Sequence, residues 1–356
     1  MAYEKSGLIE NTRLVFLDYL RIFAFVSVLV GHKFYAYVLA LSNDPSAHAT
    51  PKLIASLLLP LVNGGGAGVV VFFLVSGYII LHVLQTEEPI EFVIKRIFRI
   101  FPLYIFAVLL EYSLAAMNGQ APRLPTVLAQ LLLVGDIFGT PYALNGVEWT
   151  LRLEIAFYVF MLTARVLNLT TKQMSLLPYF LVGATLLCSF VSPIPSSDVW
   201  SKGYFTIYGP FLFLGSFFYL FEKKRIGPTF FALFVALVFF QYFRLVGVYQ
   251  QGWLSAHFAI LAFLIFFATW SVRKHLTAAI WVLFLSEMTY AVYLLHNWFF
   301  DYAKRWLAQL NISVFNADIQ ALGILLLTCF LLVRVVEKPG IRIGRSVLRA
   351  LRLRST

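Results

Sequence analysis

The chain has 356 residues, of which 60% are hydrophobic, 17% aromatic and only 13% charged. A water-soluble domain carries about 25% charged residues, and no long polar segment here could form a second, soluble domain, so the composition excludes a water-soluble protein. The net charge of +11 does not point to nucleic acid, because the basic residues collect in short segments between apolar runs, where they set membrane topology.

A bilayer span takes about 20 apolar residues. Runs at 14–38, 66–84, 97–117, 150–167, 176–192, 203–221, 228–245, 252–271, 277–300 and 318–336 suit that length. They predict an all-α, polytopic integral membrane helix bundle of about ten transmembrane helices. Two more apolar runs, 53–62 and 125–138, are too short to cross alone. With the N-terminus inside, the inner segments hold Lys5, Arg13, Lys95, Arg96, Arg99, Lys172, Lys223, Lys224, Arg225, Arg273 and Lys274, and the tail from Lys338 adds six more. The outer segments hold far fewer, among them Arg123, Lys202, Lys304 and Arg305. That asymmetry predicts both termini inside. It makes 118–149 an outer excursion and NGGGAG, 63–68, an outer loop leading into the second span. The start, MAYEKSGLIENTR, has neither a basic n-region nor a small-residue cleavage site, so no cleaved signal peptide is expected. Cys188 and Cys329 fall inside apolar runs and read as small buried hydrophobes; no metal site is expected. After Pro339 the tail GIRIGRSVLRALRLRST alternates basic and apolar residues at near-helical spacing, and is expected to lie on the inner membrane surface.

Charges in a span are costly and mark function by default. The first span holds Asp18, Arg21, His32 and Lys33. Arg21 and His32 are eleven residues apart, roughly 20° past three turns, so they share a face about 16 Å apart along the axis. Asp18 is one turn from Arg21, in register to pair with it. A structural ion pair and a headgroup-level histidine are the plainer alternative. In FFLVSGYII, 72–80, Ser76 and Gly77 lie near mid-membrane, where small residues let helices pack closely. In KRIFRIFP, 95–102, Arg96 and Arg99 share a face at the inner mouth of the third span. Arginine forks suit phosphate, although topology alone also accounts for basic residues there. In VEWTLRLEIAFYV, 147–159, Glu154 lies a turn inside the membrane edge with Tyr158 on its face, and Glu148 and Arg152 lie higher. A helix N-terminus favours acids, which accounts for Glu148 more easily than Glu154. In SEMTYAVYLLHNWFF, 286–300, Thr289, Tyr293 and His296 share one face, with His296 near the outer end. Glu111 and Glu287 are the most costly acids by depth and receive no role. Sorted by side, His32, Glu154 and His296 fall outward, and Arg21, Arg96 and Arg99 inward. The pattern suggests an anion held inside and proton chemistry farther out.

At these residues the sequence resembles the acyltransferase-3 family of integral-membrane O-acyltransferases. Arg21, ten residues and His32 match its first-helix signature, and FFLVSGYII resembles its FFxxSGxxI stretch at Ser76 and Gly77. KRIFRIFPLY resembles its R-x-x-R-x-x-P segment. EWTLRLEIAFY resembles WSLxxExxFY at Trp149, Leu151, Glu154, Phe157 and Tyr158, and TYAVYLLH resembles SYxxYLxH at Tyr293 and His296. Thr150 and Thr289 replace serines of the pattern and keep the hydroxyl. The resemblance covers nearly the whole chain and implies a transmembrane domain over 1–340, followed by a basic cytoplasmic tail over 341–356. It implies transfer of an acyl group, usually acetyl, from cytoplasmic acyl-CoA to a hydroxyl of an extracytoplasmic glycan such as lipopolysaccharide or exopolysaccharide. The implied location is the inner, cytoplasmic membrane, multi-pass. Acyl-CoA is the donor substrate and no bound cofactor is implied. On this reading Arg21, Arg96 and Arg99 hold the donor's phosphates. His32 acts as general base or acyl-accepting nucleophile, and Glu154 orients the imidazole. The partners implied are the bilayer, acyl-CoA and the glycan acceptor. Assembly into a homo-oligomer and a separate periplasmic partner stay open, since no C-terminal hydrolase-like domain follows. The rival class is a proton-coupled transporter without covalent chemistry, because intramembrane His and Glu residues also build proton relays. Transporters commonly show internal repeats, and the two halves here show no convincing duplication.

Overall fold

The computed structural model describes residues 14–135, 139–140, 142–191, 193–195, 202–252, 257–312 and 316–354. Among them the secondary structure is helical throughout. In chain order the helices are α1 Val15–Lys33, α2 Tyr35–Asn43, α3 Ala49–Val62, α4 Gly66–Val83, α5 Pro89–Met117, α6 Leu124–Leu131, α7 Glu148–Val166, α8 Leu177–Phe190, α9 Tyr204–Glu222, α10 Pro228–Tyr249, α11 Phe258–Ser271, α12 Ile280–Leu295, α13 Trp298–Gln309, α14 Ala317–Leu332 and α15 Lys338–Arg354. Proline opens α5, α6, α8 and α10 in their first turn, where its missing N–H costs no helical hydrogen bond.

Among the described residues, six segments are long and apolar enough to cross a membrane: Val15–Lys33, Ala49–Val83, Pro89–Met117, Tyr204–Glu222, Pro228–Tyr249 and Ala317–Leu351. The apolar helices α8, α11 and α12 are shorter. Leu53, Ile54 and Leu57 of α3 are each more than half exposed, a face that lipid covers without cost. Several expected runs divide differently in the structure. The first breaks at Phe34, which leaves His32 in the last turn of α1. The run expected over 277–300 breaks after Leu295 and restarts as α13. The run 53–62 belongs to α3 and passes through a glycine corner into α4. The expected N-terminal charges Lys5 and Arg13 lie outside the described residues.

The chain forms two compact units, Met1–Val75 with Ser255–Tyr290, and Ser76–Leu254 with Ala291–Thr356. In the first, α1 packs against α3 and α11, with the Phe16 and Phe266 rings edge to face at 6.4 Å. Its tightest contact is at the corner Asn63–Gly65, where Gly64 and Gly65 take φ of 54° and 70°. Such backbone is open to glycine at little cost. A Cβ on Gly31 would lie 2.1 Å from the Val62 carbonyl oxygen, and one on Gly68 2.4 Å from that of Ala24. Ser27 Oγ accepts the Gly68 N–H at 3.1 Å and donates to Leu61 O at 2.6 Å. NGGGAG is therefore a helix-packing corner for α1.

In the second unit α9 is the centre. It is buried almost all round from Tyr204 to Leu220, as an evenly apolar helix must be. It packs against α7, α8 and α10, and Phe217 stacks on Phe234 at 3.7 Å. A Cβ on Gly77 would lie 1.8 Å from Leu212 O, and Ser216 Oγ donates to Gly77 O at 2.9 Å. Gly77 is thus a packing residue, as small residues in a span commonly are. At 29 residues α5 is about 43 Å long, more than the roughly 30 Å of hydrocarbon, so one end extends beyond it. Helix α14 runs through a π-helical turn, Val333–Glu337, into α15. The tail is a helix packed on α5: a Cβ on Gly340 would sit 2.8 Å from Pro102, and one on Gly344 2.6 Å from Phe98. The expectation for the tail did not include this contact with α5. The expected boundary at residue 340 falls inside α15.

Candidate functional site

In the first unit, Arg21 and His32 stand on α1 at the expected separation. Asp18 is 2% exposed. It accepts the Ser286 hydroxyl at 2.6 Å and the Arg21 Nη1 at 3.4 Å. The predicted Asp18–Arg21 pair is present, with a serine added from α12. The His32 ring is hydrogen-bonded to the Gly64 backbone. It therefore sits beside the glycine corner, where the Gly31 contact permits little movement. Glu287 lies on the exposed face of α12.

In the second unit the arginines gather at one end of α5. Arg96 and Arg99 lie seven and ten residues from Pro89, about 10 and 15 Å into the helix. Lys95 bridges Glu87 and Glu91 at 2.8 Å each. Arg96 Nη2 lies 3.7 Å from Glu87, and Arg99 pairs with the buried Glu337 of the π-helical turn. A pocket of about 320 Å³ opens here, lined by Lys95, Arg96, Phe98, Arg99, Ile341, Gly344 and Arg345. Arg96 Nε is buried there with no hydrogen-bond partner. The sequence reading gave the tail no such part. Its signal was legible in GIRIG, 340–344, a small-x-x-x-small spacing that brings helices together.

A file of polar groups runs along one face of α7. Thr150, Glu154 and Tyr158 follow at intervals of four, so they share a face over about 12 Å. Thr150 Oγ1 lies 2.5 Å from Tyr293 OH, which donates to Val147 O at 3.0 Å. Glu154 Oε1 accepts Ser76 Oγ at 3.1 Å and Tyr158 OH at 2.5 Å. The charges of Arg96 and Arg99 act on Glu154 and on Tyr158, and the Tyr158 ring meets Phe92 edge to face at 5.9 Å. The side-sorting expected from the sequence grouped Glu154 with His32 and His296. In the structure its hydrogen-bond partners are Ser76 and Tyr158, with the charges of the two arginines acting on it.

Nearer the start of α7, Glu148 is fully buried, not a solvated residue of the interface. The Arg152 charge acts on it. Arg152 also donates to Gln130 Oε1 at 3.0 Å and lies over the Tyr142 ring at 4.8 Å. Gln130 in turn donates to Thr140 at 3.1 Å, and its carbonyl takes Tyr104 OH at 2.7 Å. Arg152, whose role the sequence left open, ties the excursion after α5 to α7. Gln130 is a lone amide in an apolar run, and nothing in its surroundings in sequence singled it out. His296 is 1% exposed, and its Nδ1 lies 2.8 Å from Tyr293 O. A carbonyl only accepts, so Nδ1 carries the proton, and Nε2 is the acceptor in a neutral ring. Trp149 packs between Tyr204 and Tyr208 at 5.5 and 5.4 Å, which reads as support for α9.

Residues 14–336 match the model of the acyltransferase-3 family, described as an acyltransferase domain. The chain belongs to this family. A stretch of 166 residues is 33% identical to an O-acetyl transferase of Shigella phage Sf6, covering 40% of this chain and 43% of that protein. The match therefore spans less than half of that relative's length. No solved structure matches the chain. With its long apolar helices, this member of the acyltransferase-3 family is a multi-pass membrane protein.

Proposed function

We propose that the chain is an inner-membrane O-acyltransferase that moves an acetyl group from cytoplasmic acetyl-CoA to a hydroxyl of an extracytoplasmic glycan, through about ten spans with both termini inside. The observation that carries this reading is the polar file on α7, whose Glu154 and Tyr158 feel the charges of Arg96 and Arg99. A buried file of hydroxyls and a carboxylate is expensive in hydrocarbon, and packing alone does not require one. Arg96, Arg99 and Arg345 offer guanidinium forks to the phosphates of CoA, and Arg21 adds a cation on α1. The acceptor hydroxyl oxygen attacks the thioester carbonyl, the new C–O bond forms and the C–S bond breaks. His32 takes the hydroxyl proton and returns it to the departing thiolate. If the imidazole instead takes the acetyl group first, an acetylated His32 accumulates when acceptor is withheld. Family membership favours this chemistry over the transporter alternative.

The test is a full-length preparation in sealed membranes, supplied with radiolabelled acetyl-CoA on the cytoplasmic face. Label in extracytoplasmic glycan and stoichiometric release of CoA are expected. Label that crosses without CoA release, or no label in any glycan fraction, overturns the assignment.

A further inference from the structure

We infer that the acceptor saccharide docks in a second cleft, at the far end of α5 from the arginines; this rests on the acyltransferase reading above. Glu111 lies twelve residues beyond Arg99, about 18 Å along the helix. It lines a cleft of about 600 Å³ together with Gln120, Asn145, Asp301 and Tyr302. That volume is within the range of small-molecule sites. Its lining is mostly polar and mixes two carboxylates, two amides and the aromatic rings of Tyr302 and Trp298. Carboxylates accept hydrogen bonds, and amides both donate and accept. Together they match a surface of hydroxyls.

The charges select against an anion. Lys304 and Arg305 also line the cleft. Lys304 is held by Asp318 at 2.5 Å, and Arg305 lies over the Tyr302 ring at 4.1 Å. Two acids and two engaged bases leave no excess cation to draw a phosphate or uronate. The floor is a built structure. Leu144, Asn145 and Gly146 take φ of 51°, 51° and 82°, which costs a non-glycine residue strain. Glu111 Oε2 accepts the Leu144 N–H at 2.8 Å, and Asn297 Nδ2 donates to Asn145 O at 3.2 Å. One Glu111 oxygen thus holds the turn, which leaves the other for a ligand hydroxyl. Asn297 follows His296 directly, and Val147, which takes the Tyr293 hydroxyl, follows Gly146. The cleft floor therefore leads straight into the upper end of the polar file. The ligand class is a neutral, hydroxyl-rich sugar unit. The site also gives Glu111, a costly acid with no role in the sequence, a reason to be kept.

The experiment uses purified full-length protein in detergent, titrated by tryptophan fluorescence with neutral methyl glycosides (gluco, galacto, manno and rhamno) and with methyl glucuronide as the anionic comparator. At least one neutral glycoside is expected to bind, and Asp301→Asn and Gln120→Ala are each expected to weaken it about tenfold. Gln120 is exposed, so its substitution leaves folding intact even if Asp301→Asn does not. Binding of none, preference for the glucuronide, or unchanged affinity in the variants overturns the inference. Radiolabelled acetyl transfer on the same samples separates the two readings. Variants that lose sugar binding in a parent protein that moves no label would sink the transferase and leave the sugar site. Label transfer at parental KM in both variants would do the reverse.

Discussion

The two ends of α5 are built from opposite chemistry. At its start, Lys95, Arg96 and Arg99 meet Glu87, Glu91 and Glu337, and α15 closes the pocket with Arg345. At its far end, Glu111 joins amides, a tyrosine and a left-handed turn around a larger and more evenly charged cleft. One end is a cluster of ion pairs that a polyanion can enter by exchanging partners. The other presents hydrogen-bonding groups to something uncharged. One helix of 29 residues holds both, about 18 Å apart from Arg99 to Glu111.

The largest expected effect lies outside α5. His32→Ala should lower glycan acetylation by about 10²–10⁴-fold, measured beside retained protein level and retained acetyl-CoA binding. Transfer near the parent rate would shift the chemistry to His296 or Glu154. Next comes the file that joins the ends. Glu154→Gln should cut kcat by about 10–100-fold, since an amide replaces the carboxyl group that accepts the Ser76 and Tyr158 hydroxyls. An effect on KM alone would mean that the file only packs the helices. At the basic end, Arg99→Lys should raise the KM for acetyl-CoA by about tenfold, because lysine lacks the planar fork, and should leave the KM for glycan as it was. Equal shifts in both constants would dissolve the distinction between the ends. The smallest effect is structural. Gly344→Ala places a Cβ 2.6 Å from Phe98 Cβ and should cost about 1–3 kcal/mol, read as a lower melting temperature with a modestly raised acetyl-CoA KM. An unchanged melting temperature would show that α15 does not need its close seat on α5.

How legible this was depended on the residue. Arg21 and His32 were readable as a pair because a single helix fixes their angle and spacing through its 3.6-residue turn, and no other element is needed to place them. Thr289, Tyr293 and His296 shared a face for the same reason. Gly77 was readable as a packing residue from its type and depth. Glu154 was not readable in full: its spacing from Tyr158 was local, but Ser76 is 78 residues away, and nothing periodic links the two. Gln130 and Arg152 meet across 22 residues with a short helix and a loop between them, and Glu337 finds Arg99 across 238.

By itself, then, the sequence determined the helical membrane class, the approximate positions of the apolar runs and the faces on which polar residues stand. These follow from hydropathy and helical period, which act within one segment. Only the tertiary structure decided that the tail packs on α5, that Glu154 belongs with Arg96 and Arg99, and that Glu111 lines a cleft. The reason is physical. In lipid, apolar surface gives one helix little preference for another, so pairing is set by glycine notches, ion pairs and buried hydrogen bonds. Those act between residues far apart in the chain and leave only faint marks, such as the spacing of Gly340 and Gly344, along it.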